Sequence, residues 1–295
     1  MKRKVMILFA FSVAFSLFAT FFIISQPAVG ILLALNNNVK VTDYNNPTFN
    51  TTKAYQYIIN RYNVHYGLVR ENENLDRYWL WSDNVLAAQA LKDYNYSLYA
   101  NITNTVRSYI QNYHIEFHTA WAALIDPTSK VQQPSFNSPI NKNLTDKIWY
   151  SDYGGSYELP CTDYADIAFL KSIFLYEINK INDSKTCYDQ GINMFDGIGF
   201  KDKAFAHDGY RYSAYKVALW KIASDIIDLS DSKEAKHIIS SLQNLILAKV
   251  QNNETGGVYT FYLPNFLHSN QTNVETTTLA IMASSGLELP RQMKP

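Results

Sequence analysis

The chain has 295 residues, 47% hydrophobic and 18% charged, which is enough apolar material for one large core or two small ones. Lysine plus arginine and aspartate plus glutamate balance at 26 each, so no net field gathers nucleic acid or anionic lipid. No nucleic-acid partner is expected.

At the N-terminus, Lys2, Arg3 and Lys4 precede an uncharged stretch from Val5 to Leu35. A secretory hydrophobic region is ~7–15 residues, whereas a helix over this run would extend about 45 Å, beyond a hydrocarbon core of ~30 Å. An uncleaved signal-anchor, reaching the membrane through residues 5–35, is favoured over a cleaved signal peptide. Cleavage would fall after Gly30, where Ala28 and Gly30 are small and Pro27 breaks the helix. The basic flank predicts a cytoplasmic N-terminus and an external C-terminal domain: a single-pass cell-membrane protein, or a secreted one if the segment is removed. Seven sequons follow, at Asn50, Asn95, Asn101, Asn143, Asn182, Asn253 and Asn270. They fit a glycoprotein, although a chain rich in Asn and Thr also acquires several by chance.

Residues 36–52 read as a linker and 53–295 as a helical domain. The first helix spans about Lys53 to Tyr62, with Tyr55, Ile58, Ile59 and Tyr62 at helical spacing. Gly67 opens a loop to Asp83, and DNVLAAQALKDY follows as a helix with Ser82 or Asp83 as its N-cap. In SLYANITNTVRSYIQNY, Leu98, Ile102, Val106, Tyr109, Ile110 and Tyr113 keep a three-and-four spacing. An insertion at about 114–160, carrying Pro127, Pro134 and Pro139, is too long for a plain connection and reads as a lid or packed excursion. A helix from Thr162 to Ile181 closes that unit. The third unit returns from about Ser184, loops through Gly197 and Gly199, and enters a helix at Ser213. In the fourth, KEAKHIISSLQNLILAKV leads through Gly256-Gly257 to a last helix, where Thr272 and Glu275 have capping-box spacing that accounts for Glu275 without chemistry. The first and last helices each lack a neighbour on one apolar face and should pack together.

Cys161 and Cys187 are the only cysteines. Outside the cell a pair is usually bonded. A continuous helix from Thr162 to Ile181, about 30 Å long, would nevertheless set them at opposite ends of a hairpin, beyond the ~7 Å Cα limit. No bridge is expected.

The second helix of each unit carries small residues: Ala87, Ala88 and Ala90; Ala165 and Ala168; Ala214, Ala218 and Ala223; Ala280 and Ala283. Small side chains suit helices crowded inside a ring. With the segments Gly67 to Leu91, Leu175 to Asp202, Asp208 to Leu219 and Gly256 to Ala283, the pattern resembles the (α/α) toroid superfamily, six-hairpin glycosidase-like but shortened to about four helix pairs. The aspartate-rich signatures of the terpenoid and prenyl branches are missing. The resemblance implies an all-α fold, an (α/α) toroid or short ring of helix pairs with aromatic-rich loops, preceded by one N-terminal hydrophobic segment. It also implies an extracytoplasmic carbohydrate-active protein, a glycan hydrolase or lyase with paired carboxylates at the toroid mouth. The alternative is a non-catalytic cell-surface protein that binds a glycan or partner there or serves only as a scaffold.

Acids near the loop ends are Asp83, Asp163, Asp166, Asp208 and Glu275, with Glu71 and Glu158 upstream. Asp83 and Asp208 come first as a catalytic pair, with Asp163, Asp166 and Glu275 behind them, because an acid at a helix start also serves as a cap. Aligning the units on their glycines sets Trp81, Tyr157, Tyr210 and Phe266 beside these acids as a substrate-binding rim, where aromatic faces suit sugar rings and equally suit loop packing. His114 and His118 are four apart, but Glu116 is not placed for a zinc site, and no phosphate or nucleophile motif occurs. Neither metal nor cofactor is expected.

Overall fold

The computed structural model describes residues 47–125, 134–227, 233–268 and 271–286. The hydrophobic segment 5–35, Pro127 and Asn270 lie outside the described residues. The expected transmembrane signal-anchor is corrected accordingly: no helix among the described residues is long and apolar enough to cross a membrane.

In chain order, α1 (Thr51–Ile59) is capped by Asn50, whose side chain accepts from the Lys53 amide at 3.0 Å. The antiparallel pair β1 (Tyr62–Asn63) and β2 (Leu68–Val69) turns through Gly67 at φ 65°. Then β3 (Tyr78–Trp79) leads into a π-helical turn, Leu80–Val85, continuous with α2 (Leu86–Leu91). Helix α3 (Tyr96–Asn112) starts on its N-cap Asn95. The insertion folds as a 3-10 turn (Ala120–Leu124) and a hairpin of β4 (Ile140–Asn143) and β5 (Ile148–Asp152), with β5 pairing in parallel with β3. There follow α4 (Ala165–Glu177), α5 (Ile181–Ile192), α6 (Lys203–His207), β6 (Tyr212–Ser213) and α7 (Ala214–Ile227). The chain continues through α8 (Lys233–Lys249), β7 (Val258–Tyr259), β8 (Phe261–Tyr262), β9 (Thr272–Asn273) and α9 (Val274–Ser285).

The all-α expectation is overturned: the described residues are about 51% helix and 13% strand, with four small sheets, so the fold is mixed α/β. The strands sit where the chain enters its helices. β3, β6 and β9 precede the π turn, α7 and α9, and each pairs with an insertion or loop strand. Buried entry segments need partners for their amides and carbonyls, and a ladder supplies them. Their aromatic and threonine residues suit a pleated surface.

Helix α9 packs against α7, α1 and α2, and α7 in turn packs against α4 and α8. The order α2, α9, α7, α4 therefore forms a contiguous inner layer, with the 3-10 turn against α4 and with α3 and α5 packed on α2 and α4. The inner helices are buried over most of their circumference and are largely apolar, with partnered polar groups such as Lys216 among them. α9 is buried without a break from Thr276 to Ala283, and α7 buries Val217, Leu219, Trp220 and Ile222. Close packing of α4 on α5 depends on Gly191, where a Cβ would stand 2.7 Å from the Phe169 ring.

Cys161 and Cys187 are bonded, with Cα atoms 5.3 Å apart, so the expectation of no bridge fails. Helix α4 begins at Ala165, and Pro160 to Asp163 form a turn closed by the Asp163 amide on the Pro160 carbonyl. Cys161 thus lies beside the helix pair instead of capping it. Because α5 starts at Ile181, Cys187 falls midway along it, and both sulfurs join Ala168 and Leu175 in a buried cluster.

Candidate functional site

Asp166, Tyr215 and Glu275 are each the second residue of their helix, in α4, α7 and α9. These three helices are neighbours in the inner layer, so their first turns bring the side chains together. The Tyr215 hydroxyl donates to Asp166 Oδ2 at 2.9 Å, and Asp166 Oδ1 is buried without a partner.

Glu275 is not held in a capping box. The N-cap of α9 is Asn273, whose side chain accepts from the Thr276 amide at 2.9 Å, while the Thr272 hydroxyl is 2.9 Å from that of Tyr57. Burial pushes the Glu275 carboxyl up to about 7; a hydrogen bond with Ser82 opposes the rise, and the charges of Asp166 and Glu71 add to it. The residue as a whole is half-buried. Glu71 is held close by its own backbone, since its carbonyl accepts from the Val274 amide at 2.9 Å. Its side chain accepts from Trp79 Nε1 at 3.1 Å.

Asp83 completes the acidic group. Ser82 or Asp83 was expected as an N-cap and Asp83 also as a first-choice catalytic acid; the helical turns start three residues before Asp83, at Leu80, and Asp83 lies inside the π turn. Buried Asn84 sets that turn, accepting from the Val69 amide at 2.6 Å and donating to the Val69 and Trp79 carbonyls. Asp83 is 1% exposed, and its Oδ2 has no hydrogen-bond partner. Burial raises its carboxyl well above the usual range, and Glu275 and Glu71 raise it further. Tyr153, just after β5, is likewise raised by burial first and then by Asp166 and Glu275.

Behind the acids, Asp202 and Lys216 form a buried ion pair at 2.6 Å, with side chains 0% and 2% exposed. Asp202 Oδ2 also accepts from the Ala165 amide at 3.0 Å, and Oδ1 from the Ala204 amide at 3.1 Å. One carboxylate therefore fixes the start of α4 against α7, and so Asp166 against Tyr215. The extra hydrogen bonds satisfy the lone pairs that a buried ion pair would otherwise leave bare.

Of the residues singled out from sequence, Asp83, Asp166 and Glu275 come together and the Asp83–Asp208 pairing does not form. Asp208 follows α6 and accepts from the Ser213 hydroxyl at 3.2 Å. Asp163 pairs with Lys203 at 2.6 Å. Among the rim aromatics, Trp81 is 1% exposed and wedged against Phe117 and Tyr150, which makes it core. Tyr157 and Tyr210 are 60% and 69% exposed, and Phe266 stacks on Tyr262 at 5.6 Å. None of these contacts reaches the acids. Sequence reasoning missed Tyr215 and the Asp202–Lys216 pair. Aligning the units on their helix starts instead of their glycines would have found Tyr215 beside Asp166 and Glu275.

Of the described sequon asparagines, Asn50, Asn101, Asn143, Asn182 and Asn253 are exposed and Asn95 is half-buried. Among the described residues no group of three histidines, cysteines or carboxylates is placed to hold a metal ion. Comparison with protein-family models, curated proteins and solved structures finds no match.

Proposed function

We propose that the chain is an extracytoplasmic glycan hydrolase in which Glu275 donates a proton to the leaving oxygen and Asp166, oriented by Tyr215, is the partner carboxylate. The observation that carries this reading is Glu275 itself. A carboxyl held up to about 7 still carries a proton near neutral pH, and a second carboxylate, Asp166 from α4, which like α9 packs on α7, stands within its field. Hydrolysis of a glycosidic bond needs two such groups in unlike surroundings. Trp79 and Tyr153 add aromatic surface beside the acids, which suits a ring with one apolar face. A lyase must hold a uronate, which this acidic group repels, so hydrolysis is preferred to elimination. The Cys161–Cys187 bond and the exposed sequons support an oxidising, extracytoplasmic setting.

The test is release of reducing sugar from a panel of neutral, amino and acidic oligosaccharides. Glu275→Gln and Asp166→Asn should each lower kcat by ~10²–10⁴-fold with the fold intact. If the wild type cleaves nothing in the panel, or the Glu275→Gln variant keeps full activity, the hydrolase reading is wrong. Binding without cleavage would make the chain a glycan-binding protein.

A further inference from the structure

The three-stranded sheet turns one face into the molecule and one away from it. Tyr78 lies opposite Ile148 across β3 and β5, and both are buried. One residue further along, Trp79 lies opposite Trp149, and strand alternation puts this pair on the outer face. On the same face of β4, Asn143 stands opposite Trp149 and Asn141 opposite Ser151. The two asparagines are exposed, and Trp79, Trp149 and Ser151 are half-buried.

The outward face of such a sheet is ordinarily polar. Single apolar residues on a surface are common, but here two indoles are cross-strand neighbours, with ring centroids 5.9 Å apart and planes inclined at 47°. Arg77 holds its guanidinium 5.9 Å from the centre of the Trp79 ring and 5.2 Å from that of Trp149. Among the described residues that guanidinium makes no ion pair, whereas Lys142 and Lys147 of the neighbouring hairpin are each matched to a carboxylate. Its fork of N–H donors therefore stands at one corner of the paired rings. At the opposite corner Asn141 Oδ1 faces the Ser151 hydroxyl at 2.8 Å, which leaves the Asn141 amide nitrogen to donate.

A sugar ring has an apolar face of C–H groups and an edge of hydroxyls, and aromatic rings bordered by donors meet both. Charge narrows the class further. Glu71 accepts from Trp79 Nε1 at 3.1 Å, so one carboxylate and one guanidinium flank the rings and offset each other. A nucleic-acid strand would need a run of cations along its phosphates, which this face lacks.

We propose that this outer face is a second glycan-binding site, a platform for a neutral oligosaccharide that continues from the acidic group. The continuity runs through Glu71, whose side chain holds Trp79 and whose carbonyl accepts at 2.9 Å from the amide of Val274, the residue before Glu275. A long glycan lying on the platform is thereby led toward Glu275, and a disaccharide is too short to use both. The platform goes beyond the hydrolase reading, since binding on it requires no reaction.

The experiment is calorimetric titration of the full chain with cellohexaose, mannohexaose, chitohexaose and maltohexaose and with the matching disaccharides, followed in parallel by tryptophan fluorescence. A sugar that is cleaved is titrated in the Glu275→Gln background. At least one hexasaccharide should bind about tenfold tighter than its disaccharide, a factor that ~1.4 kcal/mol supplies. Trp149→Ala should remove that advantage together with the fluorescence change, and Trp149→Phe should keep most of it. If Trp149→Ala lacks native circular dichroism, Arg77→Leu, which spares both rings, carries the test through the same loss of advantage. Failure of every hexasaccharide to bind better than its disaccharide overturns the inference, as does undiminished binding by the Trp149→Ala and Arg77→Leu variants, even where the protein hydrolyses glycans. Platform-dependent binding without hydrolysis upholds it and removes the hydrolase reading. Asn143 is a sequon beside Trp149, so Asn143→Gln is titrated as well. Binding by that variant alone would assign the platform to the chain's own glycan and overturn the inference.

Discussion

Replacing Glu275 by Gln should stabilise the protein above neutral pH and, on the proposed hydrolysis, lower its turnover. In the folded chain the carboxyl stands at about 7, against an ordinary 4.5. Between those values the native state keeps a proton that the unfolded chain has released. The stabilisation from that proton is full below about pH 4.5 and is lost as pH rises through about 7. At ~1.36 kcal/mol per pH unit, the interval is worth roughly 3 kcal/mol, an upper bound because the residue is partly open to water. Gln removes the buried charge and relieves Asp83, whose carboxyl Glu275 helps to raise. For a domain of this size each kcal/mol moves Tm by ~2–4 °C, so the variant should melt up to about 10 °C higher at pH 8 and near the wild type at pH 4. Burial also pushes Glu177 to about 7, but it is present in both proteins and cancels in the difference. The assay is thermal unfolding by circular dichroism from pH 4 to 8. Parallel curves, or a variant less stable at pH 8, would refute the surroundings described for Glu275.

Lys216→Met should cost ~3–5 kcal/mol in urea unfolding, because Asp202 would be left charged and buried; a loss under 1 kcal/mol would mean that water reaches the pair. Cys161→Ser should cost roughly 3 kcal/mol, the closure entropy of a loop with sequence separation 26, and wild-type mass should rise by ~2 Da on reduction. Tyr215→Phe removes one donor to Asp166 and should lower kcat by more than it changes KM, with stability shifting by only ~1 kcal/mol; steady-state kinetics and melting separate the two effects.

Sequence periodicity was a good guide to the long helices. It predicts Lys53 to Tyr62 where α1 spans Thr51–Ile59, and a start at Ser213 where α7 starts at Ala214. The strands were not legible because each helix-entry strand is two residues long, too short for an alternating pattern, and its partner lies far off in sequence. The cap expected at Ser82 or Asp83 does not form: an acid near a helix start ordinarily reads as a cap, and a π turn leaves no mark in local composition. The glycine alignment chose Asp208 and Tyr210 because the loops differ in length. The helix starts preserve the register that the loops lose, and Asp166, Tyr215 and Glu275 follow from it. The disulfide expectation was reversed by errors at both ends of the hairpin: α4 starts at Ala165 and stops at Glu177, and α5 already starts at Ile181.

The Asp202–Lys216 pair gives the site an unusual relation to solvent conditions. Surface pairs such as Lys147–Asp76 and Lys203–Asp163 fade as ionic strength rises, because mobile ions screen exposed charges within ~10 Å at 0.1 M. Ions cannot enter between two side chains buried at 0% and 2% exposure, so the alignment of Asp166 with Tyr215 should persist in brine that has dissolved the surface network. Heating acts in the same direction. The penalty for stripping water from a charge falls as temperature rises, so the pair that fixes the start of α4 against α7 becomes less costly as the surrounding apolar contacts approach their limit. The end of the molecule that carries Asp166 and Tyr215 is thereby built to keep its geometry in hot or salty surroundings, where its periphery would loosen first.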